Sequence, residues 1–139
     1  MVRAFLIGSL MAACLLSAAL AGTRGSTVKE GVALTIIRAS DKAIVCLSTR
    51  APVHLSGEYG IHASWSGGAP QAKPIELYSK QDYFATPVQL ELPLPRQARL
   101  VHVEVGACIE NESCDTVEFN YDLRRLKPSA DAASPSCEP

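Results

Sequence analysis

Cys108 and Cys114 stand with five residues between them in "GACIENESCDTVEF", flanked on both sides by segments that read as β-strands. Two sulfurs so placed admit three chemistries: a structural staple, part of a metal clamp, or a disulfide that opens and closes. Cross-strand neighbours hold their Cβ atoms about 4.5 to 5.5 Å apart, so a hairpin with the cysteines at its mouth closes such a bond without large backbone movement. The chain-entropy argument gives a ring of about seven residues on the order of 2 to 2.5 kcal/mol, a limited stabilisation for a purely structural bond. Glu110, Glu112 and Asp115 surround the pair. Negative neighbours disfavour a thiolate, so a reduced pair would be a sluggish nucleophile, better suited to being attacked or to acting only when docked.

A metal clamp needs more than two thiolates. His102 lies six residues before Cys108, roughly 20 Å away along an extended strand at about 3.3 Å per residue. The two cannot share an ion unless the strand breaks. His54 or His62 would have to arrive from elsewhere, so His54, His62 and His102 are all read as surface or half-buried strand residues. No metal site and no cofactor is assigned, and a copper or zinc carrier is the weakest of the readings. Ser, His and acidic residues are present without a Gly-x-Ser-x-Gly elbow, which leaves nucleophilic hydrolysis unsupported. "NES" at Asn111–Ser113 is a glycosylation acceptor only in a eukaryotic exported chain.

The elements that must position the pair are short strands. "VALTIIRAS" and "KAIVCLS" are rich in β-branched residues and join through Ser40 and Asp41, which suit a turn. "PVHLSGEYGIHASWSGGAPQAKP" carries one or two short strands and a loop through Gly67, Gly68 and Pro70. Val88, Leu90 and Leu92 alternate with Gln89 and Glu91. Val101, Val103, Val105 and Ala107 share one face opposite His102, Glu104 and Gly106, and Val117, Phe119 and Tyr121 lie opposite Glu118 and Asn120. "TRGSTVKEG" reads as a polar lead-in, and "ELYSKQDYF" begins as a polar and aromatic loop. No segment keeps a helical period over three turns. About seven short strands with turn signals between them predict an all-β, immunoglobulin-like sandwich.

The first 21 residues have one early positive charge at Arg3, an apolar run, and small residues at Ala19 and Ala21. They read as a secretory signal cut after Ala21. Lipidation at Cys14 is the minority reading, since Met11 fits poorly three places before it. Residues 22–127 form the expected domain, and 128–139 a Pro/Ser/Ala-rich tail that stays poorly ordered unless Cys137 ties it down. No later segment approaches the roughly 18 to 20 apolar residues of a membrane span. The mature chain is therefore expected in the periplasm or secreted. Removing Arg3 from the 13 basic residues leaves 12 against 14 acidic, which argues against nucleic acid as a partner.

The loop, the strand after it and the cysteine hairpin together resemble the amino-terminal periplasmic domain of the DsbD family of thiol:disulfide interchange proteins. In that family an acidic-aromatic loop precedes a strand ending in Leu-Pro, and a further strand enters two cysteines separated by five residues. Glu76, Leu77, Tyr78, Ser79 and Lys80 match the loop, Leu92 and Pro93 the strand end, and Cys108 and Cys114 the redox pair. The resemblance covers roughly the second half of the mature domain. It implies a pair that accepts electrons from a thioredoxin-like or membrane electron-transfer partner and passes them to exported thiol/disulfide substrates. It also implies a cap over the disulfide formed by Glu76, Leu77 and Tyr78, the tyrosine ring supplying the flat apolar shield.

Two departures stand out. Asp115 and Thr116 follow the second cysteine where the family places an aromatic residue and prolines, and only Tyr59 and Trp65 represent an earlier aromatic-rich strand. The competing function is a non-catalytic binding module in which the same bond is permanent. Cys46 and Cys137 have no counterpart in the family; a structural bridge between them is favoured, because exported thiols are seldom left unpaired.

Overall fold

The computed structural model describes residues 22–67, 74–128 and Cys137. The signal reading of residues 1–21 and most of the tail reading lie outside those residues. Among the described residues nine strands form two antiparallel sheets packed face to face, an all-β sandwich as the alternating segments predict. The first sheet contains β1 (Arg24–Lys29), β2 (Val32–Arg38), β3 (Lys42–Thr49) and β7 (Val88–Pro93), in the order β1-β2-β3-β7. The second contains β4 (Val53–Leu55), β5 (Ile61–Ser66), β6 (Ile75–Leu77), β8 (Leu100–Ile109) and β9 (Cys114–Asp122). Among the described residues the only helical turn is a 3-10 turn at Leu123–Arg125, and no helix is long and apolar enough to cross a membrane.

Strand β8 organises the second sheet. One of its edges pairs with β9 from Leu100↔Asp122 to Cys108↔Cys114. Its other edge is shared end to end: β5 pairs with Leu100–Val105, and β4 with Ala107–Ile109. β6 pairs with β5 and completes the sheet on that side.

Alternation fills the core. Leu34 and Ile36 of β2, Val45 and Leu47 of β3, Ile61 of β5, Val103 and Val105 of β8, and Val117 and Phe119 of β9 all point between the sheets and are buried. Strand β3 breaks the alternation, with Ala43 to Cys46 buried on both faces. Its outer face is covered where Ile37, Ile44 and Cys46 pack together with Cys137. Cys46 and Cys137 are bonded, with Cα atoms 5.5 Å apart, and the Cys137 amide donates to Gln89 Oε1 at 3.1 Å. The favoured bridge is therefore present, and it explains why a cysteine stands in an otherwise apolar strand.

Two strands replace segments read as irregular. β1 lies in the polar lead-in because five of its six residues are exposed, so it carries no apolar alternation to betray it. It is held by pairing with β2 through a two-residue turn in which Glu30 and Gly31 have φ of 51° and 78°, the geometry of a tight hairpin. β6 takes Ile75, Glu76 and Leu77 out of the predicted loop and pairs them with β5.

Candidate functional site

The cysteine pair closes the β8–β9 hairpin. Cys108 and Cys114 are the last paired positions of the ladder, their sulfurs are bonded, and their Cα atoms are 4.1 Å apart. The turn beyond them places Asn111 at φ 63°, a conformation Asn tolerates, and the Glu112 amide donates to the Ile109 carbonyl at 2.9 Å. Exposure divides the two sulfurs' residues: Cys108 is 2 % exposed, whereas Cys114 is exposed. Cys108 nevertheless belongs to neither apolar cluster. It sits on the outer face of the sheet, in line with His102, Glu104 and Gly106. Glu110, Glu112 and Asp115 are all exposed around it. Beside the turn lies a cleft of about 270 Å³ lined by Val53, Ala107, Ile109, Glu112, Ser113 and Asp115.

The residue directly across from Cys108 on β4 is His54. Its ring stacks on Tyr83, with centroids 4.6 Å apart and planes 15° from parallel. Tyr83 is brought there by a backbone bridge to Ser56, flanked by Phe84 N–H to Leu55 O and Gly57 N–H to Asp82 O, both 2.9 Å. The predicted cap residues lie elsewhere. Glu76 and Leu77 belong to β6, which β5 separates from β8, and Tyr78 follows them. The Tyr78 ring meets His62 edge-on at 5.7 Å, and its hydroxyl donates to Glu76 Oε2 at 3.4 Å. Partial burial, then the Glu76 carboxylate, raise the Tyr78 pKa. The loop singled out for its aromatic residue thus does reach the disulfide's row, but through Tyr83, five residues beyond the tyrosine matched to the family.

The remaining outer face of the second sheet is polar and titratable. Adjacent strands place Glu76, His62, Glu104 and Glu118 in one row, and Ser64, His102 and Asn120 in the next. Tyr59 donates its hydroxyl to Glu104 Oε1, and that carboxylate raises the Tyr59 pKa. His102 Nδ1 is 2.8 Å from Asn120 Oδ1, and His62 Nε2 is 2.9 Å from the Tyr59 carbonyl. A cleft of about 420 Å³ is lined by Tyr59, His62, Ser64, Glu76, His102 and Glu104. All three histidines are half-buried strand residues, as read from the sequence. What that reading missed is how many of their neighbours are polar.

Comparison with protein-family models, with curated proteins and with solved structures finds no match.

Proposed function

We propose that the chain is an exported thiol:disulfide exchange domain that relays electrons through Cys108 and Cys114. The observation that carries this reading is the unequal exposure of a bonded pair, Cys114 open to solvent and Cys108 covered. A partner thiolate reaches Cys114 first. Attack on Cys114 Sγ forms a mixed disulfide, breaks the Cys108–Cys114 bond, and releases Cys108 as a thiolate that takes up a proton. A second thiolate of a dithiol, thioredoxin-like partner then attacks its own sulfur in the mixed disulfide. The partner leaves oxidised and the pair is left as two thiols, two electrons having moved. The reverse sequence reduces an exported disulfide substrate. Acidic groups beside the pair keep the free domain slow, and a partner that neutralises Glu112 and Asp115 on docking at the adjacent cleft removes that restraint.

Burial of Cys108 also supports the second reading, a binding module with a permanent staple. Redox equilibration separates the two. The mature protein is held in thiol/disulfide buffers of graded potential, free thiols are trapped, and the opened cysteines are mapped by mass. Exchange predicts that Cys108 and Cys114 open together at potentials less negative than about −300 mV while the sandwich stays folded. A pair that stays closed until the protein unfolds rules exchange out.

A further inference from the structure

We infer that the outer face of the second sheet binds a divalent cation of the zinc class through His102 Nε2 and the carboxylates of Glu104 and Glu118. This inference makes no use of the cysteine pair. Donor atoms of the three side chains already lie within 4.8 Å of one another. A tetrahedral zinc with bonds of about 2.0 to 2.2 Å sets its ligands about 3.3 to 3.6 Å apart, so the three must close by about an ångström. Long side chains on a solvent-facing sheet surface make that movement by rotation about their own bonds.

Three further features point to a cation. Glu104 and Glu118 are direct cross-strand partners, and like charges in that position repel. The hydrogen bond from Lys29 Nζ goes to the Glu118 backbone carbonyl, at 3.1 Å, and not to its carboxylate. Next, the contact to Asn120 favours the His102 tautomer that leaves Nε2 free to ligate. With Asn120 Oδ1 accepting from Nδ1–H, a neutral imidazole carries its lone pair on Nε2, 3.8 Å from Glu104 Oε2. An imidazole lone pair facing a carboxylate is repulsive until a proton or a metal lies between them. Finally, Tyr59 occupies only Oε1 of Glu104, so Oε2 stays available. Outer hydrogen bonds that fix a ligating histidine and a ligating carboxylate are the usual support of a metal site. A cleft opens beside His102 and Glu104, on the side towards His62 and Glu76, from which water or a small anionic ligand would reach the ion.

Zinc titration of the untagged, oxidised mature protein, followed by calorimetry and by competition with a chromophoric chelator, tests the site. One equivalent should bind. H102A and E118Q should each weaken binding about tenfold or more, and N120A, which removes only the positioning bond, by about tenfold. H54A should leave the affinity unchanged. Two-bond nitrogen-proton spectra of the metal-free protein should show neutral His102 protonated on Nδ1, with Nε2 shifting on zinc addition. Absence of binding, affinity untouched by the combined H102A/E104Q/E118Q variant, or an Nε2–H tautomer would each overturn the inference. Circular dichroism of each variant identifies any that fails to fold, and the tautomer is read on the unsubstituted chain.

Discussion

Asp122 receives three hydrogen bonds from one neighbour: the Arg124 backbone N–H at 2.9 Å, Nε–H at 3.0 Å and an Nη2 hydrogen at 2.9 Å. These contacts, the guanidinium first, hold its carboxyl at about 2 rather than the ordinary 3.8. Because the folded value lies below the unfolded one, ionisation favours the folded chain. The contribution is complete above about pH 5 and disappears as pH falls towards the folded value. Asn caps the same turn without the charge. The urea-midpoint difference between the wild type and Asp122→Asn should therefore be constant above about pH 5 and shrink steadily between about pH 4 and 2; a difference surviving at the lowest pH would contradict the assignment.

Residue types and spacing disclosed some of the site in advance and concealed the rest. Once Cys108 is paired with Cys114, an antiparallel ladder must oppose Glu104 to Glu118 and His102 to Asn120, so the polar row was implicit in the hairpin. The hydrogen bonds that orient those groups were not, because side-chain rotation is set by neighbours on other strands. The Tyr59 contact to Glu104 depends on a loop before β5, far from β8 in sequence.

At the level of elements, β-branched runs identified β2 and β3, and period-two alternation identified β7, β8 and β9, whose inward residues must be apolar. Short edge strands were harder. β1 and β6 are identified by pairing to a neighbour rather than by burying a face, and pairing leaves no local pattern. The same limit hid the role of Tyr83, which depends on the 79–84 loop crossing the turn after β4.

That crossing depends on Gly57. Its amide donates to Asp82 O at 2.9 Å, its carbonyl accepts from Ser79 N–H at 3.1 Å, and a Cβ there would stand 2.1 Å from the Gln81 carbonyl. Backbone on both sides cannot yield as a side-chain tip would. Gly57→Ala should cost about 1 to 3 kcal/mol. It should also release the Ser56–Tyr83 bridge, visible as faster hydrogen exchange at the Gly57 and Ser79 amides. Unchanged exchange would mean that the loop is held by other contacts.

For the whole molecule, the two disulfides differ in what they constrain. Cys46 and Cys137 are 91 residues apart in sequence, Cys108 and Cys114 only 6. Chain entropy alone assigns about 4.6 kcal/mol to the wide ring and about 2.3 to the narrow one. Cys137→Ala should accordingly lower the free energy of unfolding about twice as much as Cys114→Ala, measured by urea denaturation without reductant. Equal losses would mean that the wide ring constrains the unfolded chain less than its span suggests. On these figures, opening the hairpin bond should cost the sandwich about half as much as opening the wide one.

The two bonds are also nested, the narrow one lying wholly inside the wide one. During synthesis Cys46 emerges before Cys108 and Cys114, and Cys137 comes after the nine strands of the described residues. Cys46, early in the chain, is therefore bonded to the last of the four. An oxidant that joined cysteines as they emerged would link Cys46 to Cys108, a bond between different sheets that a thiol exchange must later undo. Closing the narrow ring first, which costs the chain less entropy, avoids that detour and leaves Cys46 and Cys137 as the remaining two of these four.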